Sequence, residues 1–480
     1  MLRDLAKSTA LYGAGQLLAR AFTFALLPIL ARAFTPSEMG IVDLVQVVAA
    51  CAAVTLALEV AQGVGLFWLE ARSEEARRAY VSTALSFTLC VNIGFAVLAG
   101  LFSLPIGSWL FGPEGHSGVF AVGCWAIAAG SVSTLLLVLL RFQGRPMAYI
   151  LVSIASAGTT GAATAIFVAG LGWGPMGFVW GLFCGNGVGS ALSLIFARAA
   201  LRPVFHMERW KEMLKFSLPL VPSSVAVVAC LYLDRLLLRE FRTMDELGVY
   251  AVAVRVASIA GLTFSGFQSS LTPLLVERYR NPDTAEQIAR VFRWFMVLAV
   301  VVFLGLSIFA FEWVYLLATD RYLAAAPLVP LLVAGAVCSN LYLFAPGPLI
   351  ARRTGLIAMI NGGTAILNVG LNLYLIPRIG ILGASIAAAA TACANGIASF
   401  ALSQVYYPVP HRWSRVVIVS ASAGSLVAAL HWGELGAFAG FWAVIAKAGI
   451  VLAGSGAAAF LLLGRNELRS AMRLLLRAKA

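Results

Sequence analysis

Residues 118–140 read GVFAVGCWAIAAGSVSTLLLVLL, twenty-three positions without a single charge. A helix rises about 1.5 Å per residue, so this run reaches about 35 Å, enough to cross a hydrocarbon core of ~30 Å. Runs of the same kind recur along the whole chain. We place them at 8–33, 40–63, 79–102, 118–140, 147–170, 176–198, 216–238, 247–274, 292–313, 325–350, 356–377, 382–405, 414–431 and 439–463. Composition agrees: 61% of residues are hydrophobic, 11% are charged, and the mean hydropathy is +0.91. Inside a bilayer the backbone must satisfy its own hydrogen bonds, so the expected fold class is an all-α polytopic membrane protein of about fourteen transmembrane helices. A soluble reading is excluded.

The charges are sorted. With an even number of spans both termini share one side. Of the 34 Lys and Arg residues, twenty-five fall in alternate connections and the tail, and five (Arg32, Arg239, Arg242, Arg321, Arg378) fall in the opposite loops. The positive-inside rule then predicts cytoplasmic termini in a bacterial cytoplasmic (inner) membrane. The net charge of +13 is an orientation signal facing anionic lipid and needs no nucleic acid. The first apolar run is long, contains Arg20 and lacks a small-residue cleavage site, unlike a signal peptide. Seven cysteines all fall within spans without a CxxC pair, and read as small buried hydrophobes rather than disulfides or metal ligands. The polar connections are too short for an extramembrane domain, and Arg465, Arg469, Arg473 and Arg477 repeat every four residues in a tail that reads as a basic amphipathic helix on the inner leaflet.

The chain also repeats itself. FTPSEMGIV at 34–42 parallels FRTMDELGVYA at 241–251, with Glu38-Met39-Gly40 matching Glu246-Leu247-Gly248. Gly174-Pro175-Met176-Gly177 parallels Gly380-Ile381-Leu382-Gly383, and Asn186-Gly187 parallels Asn395-Gly396. Three matches at nearly one offset predict two six-helix lobes in the same orientation around a central cavity, 1–200 and 201–405, with 406–480 carrying two further helices and the basic tail.

Several segments resemble one family. KEMLKFSLPLVPSSVAVVACLYLDRLLLREFRTMDELGVYAVAVRVASIA at 211–260 is similar to the middle of polysaccharide-biosynthesis flippases of the multidrug/oligosaccharidyl-lipid/polysaccharide exporter superfamily. The shared elements are Phe216-Ser217-Leu218-Pro219, Asp234-Arg235 and Gly248-Val249-Tyr250-Ala251. LYGAGQLLARAFTFALLPILARAFTPSEMGIVDL and LNVGLNLYLIPRIGILGASIA are similar to the same family. The resemblance implies an O-antigen-type flippase. It would move undecaprenyl-pyrophosphate-linked oligosaccharide to the outer leaflet by alternating access, driven by a proton or sodium gradient or by consumption of product, beside a polysaccharide polymerase or glycosyltransferases. Alternatives are a lipid II flippase or a small-molecule exporter of the same superfamily. A membrane polymerase or ligase fits poorly: the outer loops are short, and His116 and His431 lack an obvious catalytic partner. No Walker A pattern occurs, and no cofactor is expected.

A charge inside a span asks for a reason. Arg20 and Arg255 are forks suited to a pyrophosphate; the alternative is structural pairing with a carboxylate such as Asp43 or Glu59. Gln16 lies one turn before Arg20 and is a candidate sugar contact. Asp234 and Arg235, about 100° apart on one helix, are either a cavity-facing signature or an ion pair closing a gate. Asp43 and Glu59 are either ion-coupling carboxylates or charges at a wet mouth. Lys447 either binds a phosphate or snorkels to an interface. Pro28, Pro219, Pro222 and Pro273 mark places where helices could bend. Asn186 and Asn395 read as packing contacts between helices.

Overall fold

The computed structural model describes residues 15, 21–22, 24–112, 116–202, 204–278, 283–351, 353–432 and 441–477. No strand occurs among them. The helices are α1 (Leu27–Ala33), α2 (Pro36–Thr55), α3 (Val60–Glu70), α4 (Glu74–Leu101), α5 (Ser103–Phe111), α6 (Ser117–Phe142), α7 (Pro146–Thr164), α8 (Gly174–Ala197), α9 (Met207–Ser217), α10 (Val221–Phe241), α11 (Met244–Arg278), α12 (Thr284–Ile308), α13 (Ala310–Ala318), α14 (Val329–Ser339), α15 (Thr354–Tyr406), α16 (Trp413–Trp432) and α17 (Phe441–Arg477). Twelve candidate membrane spans are found among the described residues, one of them covering Gly355–Tyr406. That one is two spans: Ile379 and Gly380 leave helical geometry in its middle, just after Pro377. With α1, the described piece of the first run, the expected fourteen are accounted for.

The chain divides into two compact units, Met1–Ala251 with Asn372–Gly380, and Val252–Leu371 with Ile381–Ala480. In the first, a core of Val60, Val64, Val81, Leu136, Leu139 and Met213 joins α3, α4, α6 and α9. Ser190 on α8 accepts from the Ser133 amide (3.1 Å), and Asn186 donates to the Ala126 carbonyl (2.8 Å). In the second, Phe292, Phe344, Phe400 and Trp413 pack around His411. Asn395 there donates to Asn361 and Thr364, both at 3.2 Å. Asn186 and Asn395 thus both tie helices together, as expected.

Local chemistry explains the boundaries. Thr35 caps α2 in a capping box: its hydroxyl accepts from the Glu38 amide (3.3 Å), while its own amide donates to the Glu38 carboxylate (2.9 Å). Thr243 accepts from the Glu246 amide at the start of α11 (3.2 Å). Pro28, Pro36, Pro146, Pro175 and Pro222 stand in the first turn of a helix, where the missing N–H costs nothing. Pro219 sits in a 3-10 turn, Leu218–Leu220, joining α9 to α10. The side chain of Pro273 lies outside the described residues.

One expectation changes. The second run is not one helix: it breaks between Thr55 and Val60, with Leu58 (φ 45°) and Glu59 (φ 55°) in the left-handed region. Non-glycine residues there are strained by about 1–2 kcal/mol each. The tail is helical as far as Arg477, in continuity with α17 from Phe441. The seven cysteines are unbridged, and the Cys338 and Cys393 sulfurs lie 2.9 Å apart.

Arginines in the sparsely charged loops have local duties. Arg239 donates to the Trp109 and Leu110 carbonyls at the end of α5. Arg242 donates to those of Ile376 (3.1 Å) and Pro377 (3.0 Å) beside the α15 kink, and Arg378 to Tyr374 (2.7 Å). Each guanidinium meets carbonyls that a helix end leaves open.

Candidate functional site

The two repeated turns meet. Gly40 on α2 and Gly248 on α11 face one another so closely that a Cβ on Gly40 would lie 2.6 Å from the Met244 carbonyl oxygen, and one on Gly248 closer still to that of Pro36. Only a residue without Cβ permits this crossing. Their neighbours are matched as well. A Cβ on Gly174 would lie 3.1 Å from the Glu38 carboxylate, and one on Gly380 3.2 Å from that of Glu246. Both of those glycines hold positive φ, 56° and 60°. Residues paired in the sequence repeat therefore occupy paired environments.

One turn beyond the crossing, a charged cluster is sealed in the first unit. Asp43 (α2), Asp234 and Arg235 (α10) are 6%, 6% and 7% exposed. Arg235 Nε stands 2.8 Å from Asp43 Oδ2, and Nη1 stands 3.1 Å from Asp234 Oδ1. The first contact is an ion pair whose angle lies outside hydrogen-bond geometry. The Arg235 amide also donates to Asp234 Oδ1 (2.8 Å), and Nη1 donates to the Leu231 carbonyl. Tyr250, fully buried on α11, donates its hydroxyl to Asp234 Oδ2. Its ring and that of Tyr232 lie 5.8 Å and 5.0 Å from the guanidinium carbon. Asp234 and Arg235 leave the helix at different azimuths, yet the long arginine folds back onto its neighbour.

This arrangement joins three helices through one cation and two anions. Charge is costly to bury, and here one guanidinium faces two carboxylates while a tyrosine hydroxyl serves one of them.

The remaining candidates are dispersed. Gln16 and Arg20 lie outside the described residues. Arg255 is on α11, partly buried and in the second unit. Glu59, partly buried, is at the strained break before α3. About 18 Å of helix separates Asp43 from the end of α2 that precedes it, so the two acids do not share a site. Asp43 is no wet-mouth charge, because Arg235 holds it inside the protein. Lys447, 7% exposed, does not snorkel; its ammonium pairs with Glu312 of α13 at 2.5 Å. Sequence reasoning missed Tyr250 as the third arm of the cluster, and Glu312. It also missed the Thr-x-x-Glu capping signal at 35–38 and 243–246, which was there to be read.

Among the described residues, no group of three or more His, Cys, Asp or Glu could hold a metal ion. The folded chain is a multi-pass bundle of the architecture found in transporters of the multidrug/oligosaccharidyl-lipid/polysaccharide superfamily. It is similar to the lipid II flippase MurJ in an inward closed conformation, with a TM-score of 0.73 and 11% identity over 94% of this chain and 98% of that one. It is also similar to an inward-facing multidrug resistance MATE transporter of that superfamily (0.60, 17%, 83% and 94%) and to a Vibrio cholerae MATE transporter (0.56, 15%, 84% and 96%). A search of curated proteins finds no match. Residues 29–327 match the polysaccharide biosynthesis protein family, and the chain belongs to that family.

Proposed function

We propose that this protein is a flippase that carries an undecaprenyl-pyrophosphate-linked oligosaccharide, an O-antigen-type repeat unit, from the inner to the outer leaflet of the bacterial cytoplasmic membrane. The observation that carries the reading is the family match over 29–327, on a fold shared with a lipid flippase. Both termini face the cytoplasm in this reading, as the charge pattern asks. Arg20 and Arg255 attract the pyrophosphate, with Gln16 beside Arg20 as a sugar contact. The protein works without a cofactor and without catalysis. Polymerases or glycosyltransferases supply and consume its cargo.

The Asp43–Arg235–Asp234–Tyr250 cluster acts as a latch tying α2, α10 and the start of α11. Release of Asp43 by Arg235, which keeps Asp234, opens the latch, and a proton or sodium gradient acts through Asp43 or Glu59.

The test is leaflet-resolved accessibility of the lipid-linked oligosaccharide in proteoliposomes. Protein-dependent transfer, lost on Arg20→Ala and Arg255→Ala in folded protein, supports the whole reading. Transfer that persists in both variants removes the arginines from the pathway. The likeness to MurJ favours lipid II as the second cargo to try. Transfer of neither lipid under a pH or sodium gradient would sink the proposal.

A further inference from the structure

The first turn of α4 and the linker leading into α9 enclose an open groove of about 620 Å³ in the first unit. It belongs to the face that the charge pattern places inside. Its lining includes Glu75 and Arg78 from α4, and Arg202, Phe205, Glu208 and Arg209 from the linker and α9.

The groove is held in shape without its charges. The Arg202 amide donates to Ser82 Oγ (2.8 Å), and the His206 amide to Thr83 Oγ1 (3.1 Å). Both acceptors are buried, at 2% and 0% exposure. Arg209 is spoken for: it donates to the Tyr80 hydroxyl (2.7 Å), stacks over that ring (4.7 Å) and pairs with Glu212. The other four charges are not. Arg78 Nε is buried with no hydrogen-bond partner. Among the described residues neither Arg78 nor Arg202 forms an ion pair, and neither do Glu75 and Glu208, although all four line one groove. Two cations and two anions that leave one another unsatisfied are complementary to a ligand carrying both signs.

The rim says where that ligand comes from. Val204, Phe205 and Met207 are 41%, 45% and 53% exposed. Three exposed apolar side chains, two on the linker and one opening the amphipathic α9, are placed beside the groove to dip into acyl chains. The geometry points to a binding site for a zwitterionic phospholipid headgroup of the phosphoethanolamine type. Arg78 and Arg202 hold its phosphate, Glu75 and Glu208 hold its ammonium, and Val204, Phe205 and Met207 contact its chains. Guanidinium forks suit phosphate oxygens. A primary ammonium offers the carboxylates three N–H donors, which a trimethylated one cannot. The site is separate from the cargo pathway proposed above and does not depend on it.

The experiment is native mass spectrometry of the full-length protein in detergent, with equimolar isotope-labelled phosphatidylethanolamine, phosphatidylcholine and phosphatidylglycerol of identical chains. We expect phosphatidylethanolamine to be retained about tenfold over either competitor, as roughly 1.4 kcal/mol per tenfold implies. Arg78→Gln/Arg202→Gln should abolish retention of phosphatidylethanolamine, and with it that preference, by losing the phosphate. Glu75→Gln/Glu208→Gln should retain lipid but bind phosphatidylethanolamine and phosphatidylcholine alike. Arg202 and Glu208 are exposed, so Arg202→Gln and Glu208→Gln alone keep the test valid should a double variant misfold. Equal or stronger retention of phosphatidylglycerol would overturn the proposal, as would a preference that these variants leave unmoved. Displacement of the lipid by millimolar phosphoethanolamine or inorganic phosphate would reassign the groove to a soluble ligand.

Discussion

Two buried charge sites in this protein answer the same problem differently. In the first unit, Asp43, Asp234 and Arg235 make a cluster of two anions and one cation. In the second, Lys447 pairs with the partly exposed Glu312. The cluster lies at a junction of three helices, beside the glycine crossing where the two repeated turns meet. The difference teaches how far one buried cation can reach: Arg235 with its carboxylates ties α2 to α10 and Tyr250 adds α11, whereas the Lys447–Glu312 contact ties α13 to α17.

The comparison breaks most directly at Arg235. Arg235→Met leaves two carboxylates buried without their cation and should cost about 3–5 kcal/mol, read as a large drop in melting temperature in detergent. Adding Asp43→Asn to that variant should recover more than half of the loss, since one anion is gone and Tyr250 still serves Asp234. A double variant no better than the single one would show that Arg235 acts through packing rather than through its charge.

The crossing beneath the cluster gives the next effect. A methyl on Gly248 has no room against the Pro36 carbonyl, so Gly248→Ala should separate α2 from α11 at a cost of about 1–3 kcal/mol. Gly396→Ala, where a Cβ finds its nearest atom at 3.3 Å, should be mild. Equal melting temperatures for these two variants would mean that the repeated turns do not carry the junction.

The Lys447–Glu312 pair predicts a thermodynamic cycle. Lys447→Met alone strands Glu312 and should destabilise by about 1–3 kcal/mol, with the half-exposed side of the carboxylate softening the loss. Lys447→Met/Glu312→Gln should return close to the starting stability, giving a coupling energy of opposite sign to the single losses. If the double variant stayed as unstable as the single one, Lys447 would have a duty beyond its partner, and the contrast with the Arg235 cluster would narrow.

How much of this could be read from the chain follows from how far each signal reaches. Spans were legible because hydropathy adds up locally over some twenty residues, as at 118–140. The kink at Ile379 and Gly380 was legible as the boundary between two runs, because Pro377 and Gly380 mark it. Asp234 and Arg235 stood out because charge in a span is costly. Asp43 as their partner was not legible, since α2 and α10 are nearly two hundred positions apart in the chain, and Lys447 gave no hint of Glu312 for the same reason. The break before Val60 carried no local signal: Leu58 and Glu59 are not residues that favour the left-handed region, so tertiary packing overrides propensity there. The groove between α4 and the α9 linker is likewise a product of packing: in the sequence its arginines carry only an orientation signal.

The smallest effect guards the rest, because any argument that protonation acts at Asp43 needs the protein's other pH dependence accounted for. His411 lies between α15 and α16, caged by Phe292, Phe400 and Trp413 at 4.5–5.2 Å. Burial, aided by the positive charge of Arg293, pushes its imidazole from 6.5 down to about 4. The unfolded chain therefore takes up a proton near pH 6.5 that the folded protein refuses until about pH 4. More protons bind to the unfolded state within that window, so stability is whole above pH 6.5 and falls as the pH drops toward 4. His411→Phe, which keeps an aromatic ring in the cage, should flatten that part of the melting-temperature profile while leaving pH 8 nearly unchanged. Transport that still responded to pH in His411→Phe protein, and lost its response in Asp43→Asn, would assign the coupling to the Asp43–Arg235–Asp234 cluster. A response that vanished with His411 alone would move it to the second unit.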